Sequence, residues 1–537
     1  MPAIRAVRNA FPDAYISLLV KPWVAEIFKE NPSVNEIILY EDRYNSIAGK
    51  FKLAKILKSK GFNTAILLQN AFDAAFIAWL SGIPKRIGYR RDFRRLLLTK
   101  AVPVKNTEHR IQNTEYRQKN KVLKQHHVYY YLDLLKESLN IEVQYTEPLL
   151  YLTDEEISKA RIFLNAERRT QNAELLIGIN PGAAYGSAKR WMPERFAELI
   201  HRIINELNGN VALFGSTSEI EIVNEIIKAV NNQNTEHRPV PSEVEGTQNT
   251  DNPPSPPLVK GVEGGILNLA GKTNLRELMA LISECDAFIS NDSGPMHIAS
   301  ALFVPVAAIF GSTDKAVTGP LGDGHRIISK DIPCSPCLER ECPERHLRCM
   351  TEISTDDVYN ALLEILPKNR AVFLDKDGTL IEDVGYLNSF SDLKILEGVQ
   401  ENLQRLKNAG FKLIGITNQS GVARGIVGEE FVRESNKYLQ KTLGVDDFYY
   451  CPHHPDDECQ CRKPKPMLLY KAGLKHRVKL KESYVIGDKT LDVLLANAVG
   501  AKGVLVLTGH DKKSEHADFI ARDLKDAVDW ILKEERQ

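Results

Sequence analysis

The run Ala371-Val-Phe-Leu374 is wholly apolar and passes without a break into Asp375 and Asp377, with one residue between the two acids. Such a run reads as a buried strand. The acids then fall at its carboxyl end, where open α/β sheets bind their ligands. Gly378 permits a sharp turn directly after the second acid. Two carboxylates this close repel unless a cation or a proton sits between them. A solvated acidic turn would account for Asp-x-Asp alone, but not for the apolar lead and the Gly378-Thr-Leu380 tail.

Complementary pieces follow along the chain. Residues 411–420 hold a second apolar run that ends on Thr417 and Asn418, side chains able to donate to phosphate. Arg462 and Lys463 supply positive charge, and residues 484–488 form a third apolar run that ends on Asp488. Cleaving a phosphate ester asks for this set: a nucleophile, a proton donor and cations. Lys489, next to Asp488, reads equally as a site cation or as a solvated lysine. Between the second and third runs lie Cys451, His453, Cys459 and Cys461, a Cys-x-His and a Cys-x-Cys pair. Three thiols and an imidazole fill a tetrahedral zinc shell and leave no open position, so the site reads as structural. Free thiols or a disulfide are the alternatives, and His454 is the neighbouring candidate ligand.

In this order the pieces resemble the haloacid-dehalogenase (HAD) phosphatase superfamily, over nearly all of residues 368–535. The zinc loop resembles the branch that contains D-glycero-D-manno-heptose 1,7-bisphosphate 7-phosphatase and histidinol-phosphate phosphatase. Asp383-Val384-Gly385-Tyr386, Thr417-Asn418-Gln419-Ser420 and Cys461-Arg462-Lys463-Pro464 carry the match. The resemblance implies that Asp375 is the nucleophile and forms an aspartyl-phosphate, and that Asp377 is the acid and then the base. It implies Mg2+ on Asp375, the backbone carbonyl of Asp377 and Asp488. Thr417 and Lys463 would hold the phosphoryl oxygens. Residues 383–386, 417–420 and 462–463 would contact substrate.

At 537 residues the chain is long enough for about three domains. Its 70 basic residues balance 70 acidic ones, so no global field recommends nucleic acid as a partner. No apolar run reaches the ~18 residues of a membrane span, and Met1–Arg8 is not a signal peptide. Seven of the eight cysteines lie in two clusters, 334–349 and 451–461, which reads as metal binding in a reducing cytoplasm.

Apolar runs at 14–20, 36–40, 64–69, 175–180, 210–215, 265–270, 286–291 and 305–310 alternate with helical patterns such as 195–207 and 217–230. Alternation of this kind predicts parallel sheets wrapped by helices, in two Rossmann-like blocks that divide near residue 160. In the second block a strand, a Gly-rich turn and the pair Lys189-Arg190 suit a phosphate. Residues 288–298 repeat the strand-to-turn pattern with Asp292, Ser293, Gly294 and His297. Each alone could be an ordinary strand-to-helix loop.

Together with Gly82–Gly88, Asn180-Pro-Gly182, Phe214-Gly-Ser216 and Asn268–Gly271, these segments resemble the ADP-heptose:lipopolysaccharide heptosyltransferases, a GT-B glycosyltransferase family. The resemblance implies that Lys189 binds the diphosphate. Ser216 and Glu219 would lie near the nucleotide sugar, and Asp292, Ser293, Gly294 and His297 would line the donor site. Family members open with a strand and a loop bearing an Asp base, and the helix after that loop resembles Pro2–Arg8. That strand and base are therefore expected to be missing here.

The resulting expectation is an α/β chain with a GT-B double Rossmann-like transferase lacking its first strand (1–160 acceptor domain, 161–365 donor domain) and a HAD domain with a zinc loop (368–537). The 231–264 stretch, rich in Asn, Pro, Glu and Gly, reads as a disordered insert. Asn106-Thr-Glu-His-Arg110 recurs as Asn234-Thr-Glu-His-Arg238, which reads as low-complexity sequence. Cys334, Cys337, Cys342, His346 and Cys349 read equally as a metal site or a metal-free loop. Lys85, Arg86, Arg90, Arg91, Arg94 and Arg95 could draw a phosphorylated lipid or be a solvated face. The expected function is cytoplasmic, at most peripheral to the inner membrane. It combines hydrolysis of the 7-phosphate of heptose 1,7-bisphosphate with heptose transfer from ADP-heptose to the lipopolysaccharide inner core. Histidinol phosphate as the phosphatase substrate, and a catalytically dead sugar-nucleotide-binding module tethered to the phosphatase, are the rivals.

Overall fold

The computed structural model describes residues 1–104, 126–143, 145–167, 175–236 and 265–536. The chain divides into two compact units, Met1–Glu364 and Ile365–Gln537.

In the first unit, β1 (Ser17–Val20) and β2 (Glu36–Leu39) pair in parallel. A separate parallel sheet joins β3 (Thr64–Leu67), β4 (Lys85–Tyr89) and β5 (Lys100–Val102). The sequence predicts one Rossmann-like block lacking its first strand here. The described strands form two separate sheets, β1-β2 and β3-β4-β5.

The larger sheet is built from β6 (Leu175–Asn180), β7 (Gly209–Leu213), β8 (Ile266–Asn268), β9 (Ala287–Asn291), β10 (Val306–Ile309) and β11 (Arg326–Ile328). All its pairings are parallel, in the order β11-β10-β9-β6-β7-β8. β7, β9 and β10 are buried along their whole length, as strands covered by helices on both faces must be. The helix Pro193–Leu207 buries Phe196, Leu199, Ile200 and Ile203, positions spaced to share one face. The helix Ile220–Glu236 runs into the stretch expected to be a loop from residue 231. Residues 237–264, and both copies of the repeated pentapeptide except Asn234–Glu236, lie outside the described residues.

The second unit repeats the plan. Its strands β12 (Ala371–Leu374), β13 (Lys412–Asn418), β14 (Asp447–Cys451), β15 (Tyr484–Gly487), β16 (Lys502–Val506) and β17 (Phe519–Ala521) stand in the parallel order β14-β13-β12-β15-β16-β17. In both sheets the first strand is central, and the order reverses beside it, between β6 and β9 and between β12 and β15. That reversal opens a crevice at the carboxyl ends of the strands. β12 is wholly buried, with Leu374 opposite Gly415 on one side and Ile486 on the other.

Two units with separate cores should unfold separately. Ile486→Ala empties a fully buried site in the second unit and should cost about 2–5 kcal/mol there, and Phe288→Ala about 3–5 kcal/mol in the first. In scanning calorimetry each substitution is expected to lower one of two transitions and leave the other in place.

Candidate active sites at the two sheet crevices

In the second unit, β12 delivers Asp375 into the crevice and fixes it by an N–H donated to the Ile486 carbonyl at 2.9 Å. Gly378 turns the chain at φ +83°, and a Cβ there would stand 2.7 Å from the Asp488 Oδ2 atom. Both the backbone angle and the close approach therefore demand glycine. The turn brings Asp377 back toward β13, where its Oδ2 accepts from Gln419 Nε2 at 3.0 Å and Thr417 Oγ1 at 3.4 Å. Burial, with Asp375 and Asp383 nearby, pushes the Asp377 carboxyl above its ordinary pKa.

Lys463 is buried between two acids, with Nζ 2.7 Å from Asp375 Oδ1 and 2.5 Å from Asp492 Oδ1. It also donates to the Ile416 carbonyl at 3.1 Å. Burial alone would lower its pKa, but the two carboxylates outweigh that and hold it above the ordinary lysine value. Burial pushes the Asp492 carboxyl up to about 7 despite the lysine. Asp492 also serves the backbone, since its Oδ2 accepts from the Lys489 N–H and caps the helix Thr490–Val499.

Asp488 is fully buried, and burial raises its pKa. Its Oδ2 accepts from the His510 N–H at 2.9 Å, and its Oδ1 has no hydrogen-bond partner. Oxygens of Asp375, Asp488 and Asp492 lie within 4.8 Å of one another. An orphaned buried oxygen among three acids fits a hard divalent cation.

Asp383 accepts from the Gly385 N–H at 2.8 Å, from His510 Nε2 at 2.7 Å and from Lys489 Nζ at 3.4 Å. Although burial opposes it, these partners hold its pKa below the ordinary value. Lys489 thus reaches an acid of the crevice while part of its side chain stays open to solvent. Val384 and Tyr386 are exposed, and the Tyr386 ring covers Gly421, where a Cβ would meet it at 2.8 Å. That contact sets the 383–386 loop beside Ser420. Asn418 clamps the other wall by accepting from the Lys463 N–H at 3.1 Å, and the Nη1 atom of Arg462 is buried without a partner.

The cysteine loop closes as the spacing predicts. Cys451 Sγ lies 3.4 Å from Cys459 Sγ and 3.6 Å from His453 Nδ1, and His453 Nδ1 lies 3.1 Å from Cys461 Sγ. All four donor atoms fall within 4.8 Å of one another. His454 is not among them, since its Nδ1 accepts from the Asp456 N–H at 3.3 Å and caps the turn Pro455–Asp457. Three soft sulfurs and one nitrogen suit a tetrahedral zinc ion.

In the first unit, Lys189 Nζ sits 2.6 Å from Asp292 Oδ2, which also accepts from Thr313 Oγ1 at 2.6 Å. Asn180, at the end of β6, donates to Ser293 Oγ at 3.3 Å, so the two strand ends beside the reversal are tied together. Ser216 N–H and Oγ both donate to Glu219 Oε2, at 2.8 and 2.9 Å. The Glu219 carboxylate lies against Gly182, where a Cβ would come within 1.9 Å of Oε1. The loop from 182 to 190 therefore touches both candidate groups. Gly294 and His297 form the first turn of the helix Gly294–Ala301 and are exposed.

Asp375, Asp377, Thr417, Gln419, Lys463, Asp383, Asp488 and Lys489 are linked through close side-chain contacts around the end of β12. Sequence reading misses Asp492, His510 and the buried Lys376, whose Nζ lies 3.8 Å from Asp377 Oδ2. Asp492 stands four residues beyond Asp488, in the first turn of the helix that follows, a spacing that is legible. His510 comes from a distant loop with no local signal.

A family model described as glycosyltransferase family 9 (heptosyltransferase) matches residues 50–237 and 253–348. A model described as HAD-hydrolase-like matches residues 460–527. D-glycero-beta-D-manno-heptose-1,7-bisphosphate 7-phosphatase of Helicobacter pylori strain J99 is 37% identical over 173 residues, 31% of this chain and 99% of its own length. Lipopolysaccharide heptosyltransferase 2 of Escherichia coli K12 is 26% identical over 371 residues, 68% of this chain and 94% of its own length. The solved structure of E. coli ADP-heptose lps heptosyltransferase II is 26% identical, with a TM-score of 0.50, and covers 68% of this chain and 93% of that one.

Lys463→Met would leave two buried carboxylates uncompensated and should destabilise the second unit by about 3–5 kcal/mol at about pH 8. Asp492 already has a raised pKa, so its protonated form favours the folded state and that contribution fades as pH rises. The loss measured by denaturant titration is therefore expected to shrink toward about pH 5.

Proposed function

The chain belongs to glycosyltransferase family 9 through its first unit and to the heptose-1,7-bisphosphate 7-phosphatases through its second, and on that footing we propose how each half works. It is an enzyme of heptose metabolism with two activities.

In the second unit the substrate is the 7-phosphate of D-glycero-D-manno-heptose 1,7-bisphosphate. The observation that carries this reading is the pairing of Asp375 with a buried Lys463 beside the unpartnered Asp488 Oδ1. Asp375 Oδ attacks phosphorus and the sugar oxygen leaves, giving an aspartyl-phosphate. Asp377, its pKa raised by burial, carries the proton that the leaving oxygen takes, then accepts one from the water that hydrolyses the acyl-phosphate. Lys463 and Thr417 hold the phosphoryl oxygens. Mg2+ on Asp375, the Asp377 carbonyl and Asp488 would offset the charge of the transferring group. Asp383–Tyr386, Asn418–Ser420, Arg462 and Lys489 hold the rest of the substrate. Cys451, His453, Cys459 and Cys461 would hold a structural zinc ion, and because Cys461 directly precedes Arg462 and Lys463, it would fix where those cations stand.

In the first unit, taken as two lobes that divide near residue 160, the donor is ADP-heptose and the acceptor is the lipopolysaccharide inner core. Lys189 exchanges Asp292 for the donor diphosphate, with Ser216, Glu219, Ser293, Gly294 and His297 around the sugar nucleotide. The basic run resolves into two kinds of residue. Arg94 is fully buried and donates to the Tyr89 carbonyl and Asn70 Oδ1, both at 2.9 Å, and Arg86 donates to the Leu97 carbonyl at 2.7 Å. These two brace the loop. The loop then presents Phe93, 98% exposed, and Leu96, 92% exposed, among the exposed Arg90, Arg91 and Arg95. Aromatic and aliphatic tips ringed by cations suit an anionic membrane surface. No helix among the described residues is long and apolar enough to cross a membrane.

Phosphate release from heptose 1,7-bisphosphate, with histidinol phosphate as the competitor, tests the first half. Asp375→Asn should abolish it. Asp377→Asn should slow it by about 10²–10⁴-fold, but far less on p-nitrophenyl phosphate, whose leaving group needs no proton. Equal loss on both substrates would remove Asp377 from the acid's role.

Acceptor-dependent ADP release tests the second half, and binding without turnover would leave it a tethered binding module. Lys189→Ala should raise the KM for ADP-heptose on the order of 10–100-fold. The double variant Phe93→Ser/Leu96→Ser should slow transfer to vesicle-embedded acceptor and spare transfer to detergent-dispersed acceptor.

A further inference from the structure

The first unit carries a second cysteine cluster that neither reaction uses. Cys334, Cys337, Cys342 and Cys349 are all free thiols, and together with His346 they line one small cavity. We propose that this cavity is a zinc-class metal site with four thiolate ligands, Cys334, Cys337, Cys342 and Cys349, and that the ion staples the 334–349 loop beneath the donor-site loop.

The hydrogen bonds separate ligands from supports. His346 Nδ1 accepts from the Arg348 N–H at 3.0 Å, so in the neutral ring the proton is on Nε2. That Nε2 stands 3.9 Å from Cys334 Sγ. A protonated nitrogen cannot ligate a metal, but it can donate to a thiolate, so His346 supports Cys334 rather than adding a fifth ligand. Cys342 Sγ likewise accepts from the Leu347 N–H, at 3.4 Å.

The backbone points the same way. Leu338, Arg345 and Leu347 hold φ angles of +64°, +57° and +50°. That region is costly for non-glycine residues, and the only regular element of this loop is the short helix Arg348–Thr351. A four-ligand cross-link would offset that cost. The sulfurs stand wider apart than the four donors around Cys451, which lie within 4.8 Å of one another. Binding would therefore draw the loop inward, each thiol releasing its proton to solvent.

The loop hangs on the donor site. The Ala188 N–H donates to the Arg340 carbonyl at 3.1 Å, and Tyr185 OH donates to the Leu338 carbonyl at 2.8 Å. The Leu338 N–H donates to the Ser312 carbonyl at 2.7 Å, next to Thr313, which binds Asp292. Lys189 Nζ lies over the Tyr185 ring at 4.6 Å. An ion in the cavity would thus fix the residues on both sides of the Lys189–Asp292 pair. The site itself stands on the cysteines and does not depend on the transferase reading.

The test is elemental analysis of the full chain purified from zinc-supplemented cells. Cys337→Ser/Cys342→Ser should carry one zinc equivalent fewer than the parent, release phosphate at the parent's rate, and be cleaved faster by protease within 334–349. Unchanged zinc content would overturn the proposal, as would iron with the visible absorption of an iron–sulfur cluster. A second measurement leaves the new site intact. Cobalt added to Cys459→Ser/Cys461→Ser, in which the other cluster is dismantled, should give the bands of tetrahedral cobalt thiolate. Their absence would also overturn it.

Discussion

The second unit is organised around one buried lysine. Lys463 neutralises Asp375 and Asp492 at once. Such a cluster is costly to bury and is tolerated only when every charge is met. Meeting them fixes much else. Asp492 also caps the helix after β15, so the lysine is tied to the placement of Asp488. Asn418 holds the Lys463 backbone to the end of β13, and the cysteine loop ends two residues before it. Asp375, Asp488 and the end of β13 are thereby held in one electrostatic frame.

The same architecture serves both chemistries. Each main sheet places its first strand at the centre and reverses order beside it, so the crevice lies between the ends of two adjacent central strands. In the second unit that crevice is lined by acids suited to a cation. In the first it holds a lysine and a Gly-rich loop suited to an anion. The fold decides where a ligand sits, and the strand-end residues decide what kind.

Much of this is legible in the sequence because buried parallel strands announce themselves as short apolar runs. β6, β9 and β10 fall within the stretches that read as strands, β7 overlaps one, and β12 and β15 end where their acids begin. The strands that sequence reading misses include β4 and β11. β4, Lys85–Tyr89, opens with two cations, and β11, Arg326–Ile328, is short and exposed at its start. Neither carries the unbroken apolar run that burial on both faces requires. The basic stretch reads as one patch because sequence cannot show that Arg94 turns inward to hold its loop. His510 escapes notice because it approaches Asp383 from 127 positions away, with only tertiary structure to join them. The choice between His453 and His454 is open in the sequence and is decided by which ring caps the turn.

The strand order has a consequence for synthesis on the ribosome. In the second unit the central strand, β12, emerges first, and its two neighbours, β13 and β15, arrive well apart. The sheet must grow outward from its middle, and the edge β17 emerges after every other strand of the unit. Through that interval Asp375 and Asp377 are already made, while Lys463 and Asp488 are still to come. The nascent crevice is therefore a charged, half-walled seam until the last third of the unit has left the exit tunnel. A ribosome that pauses there would display an incomplete parallel sheet with a free β12 edge, the form most exposed to mispairing with another nascent chain.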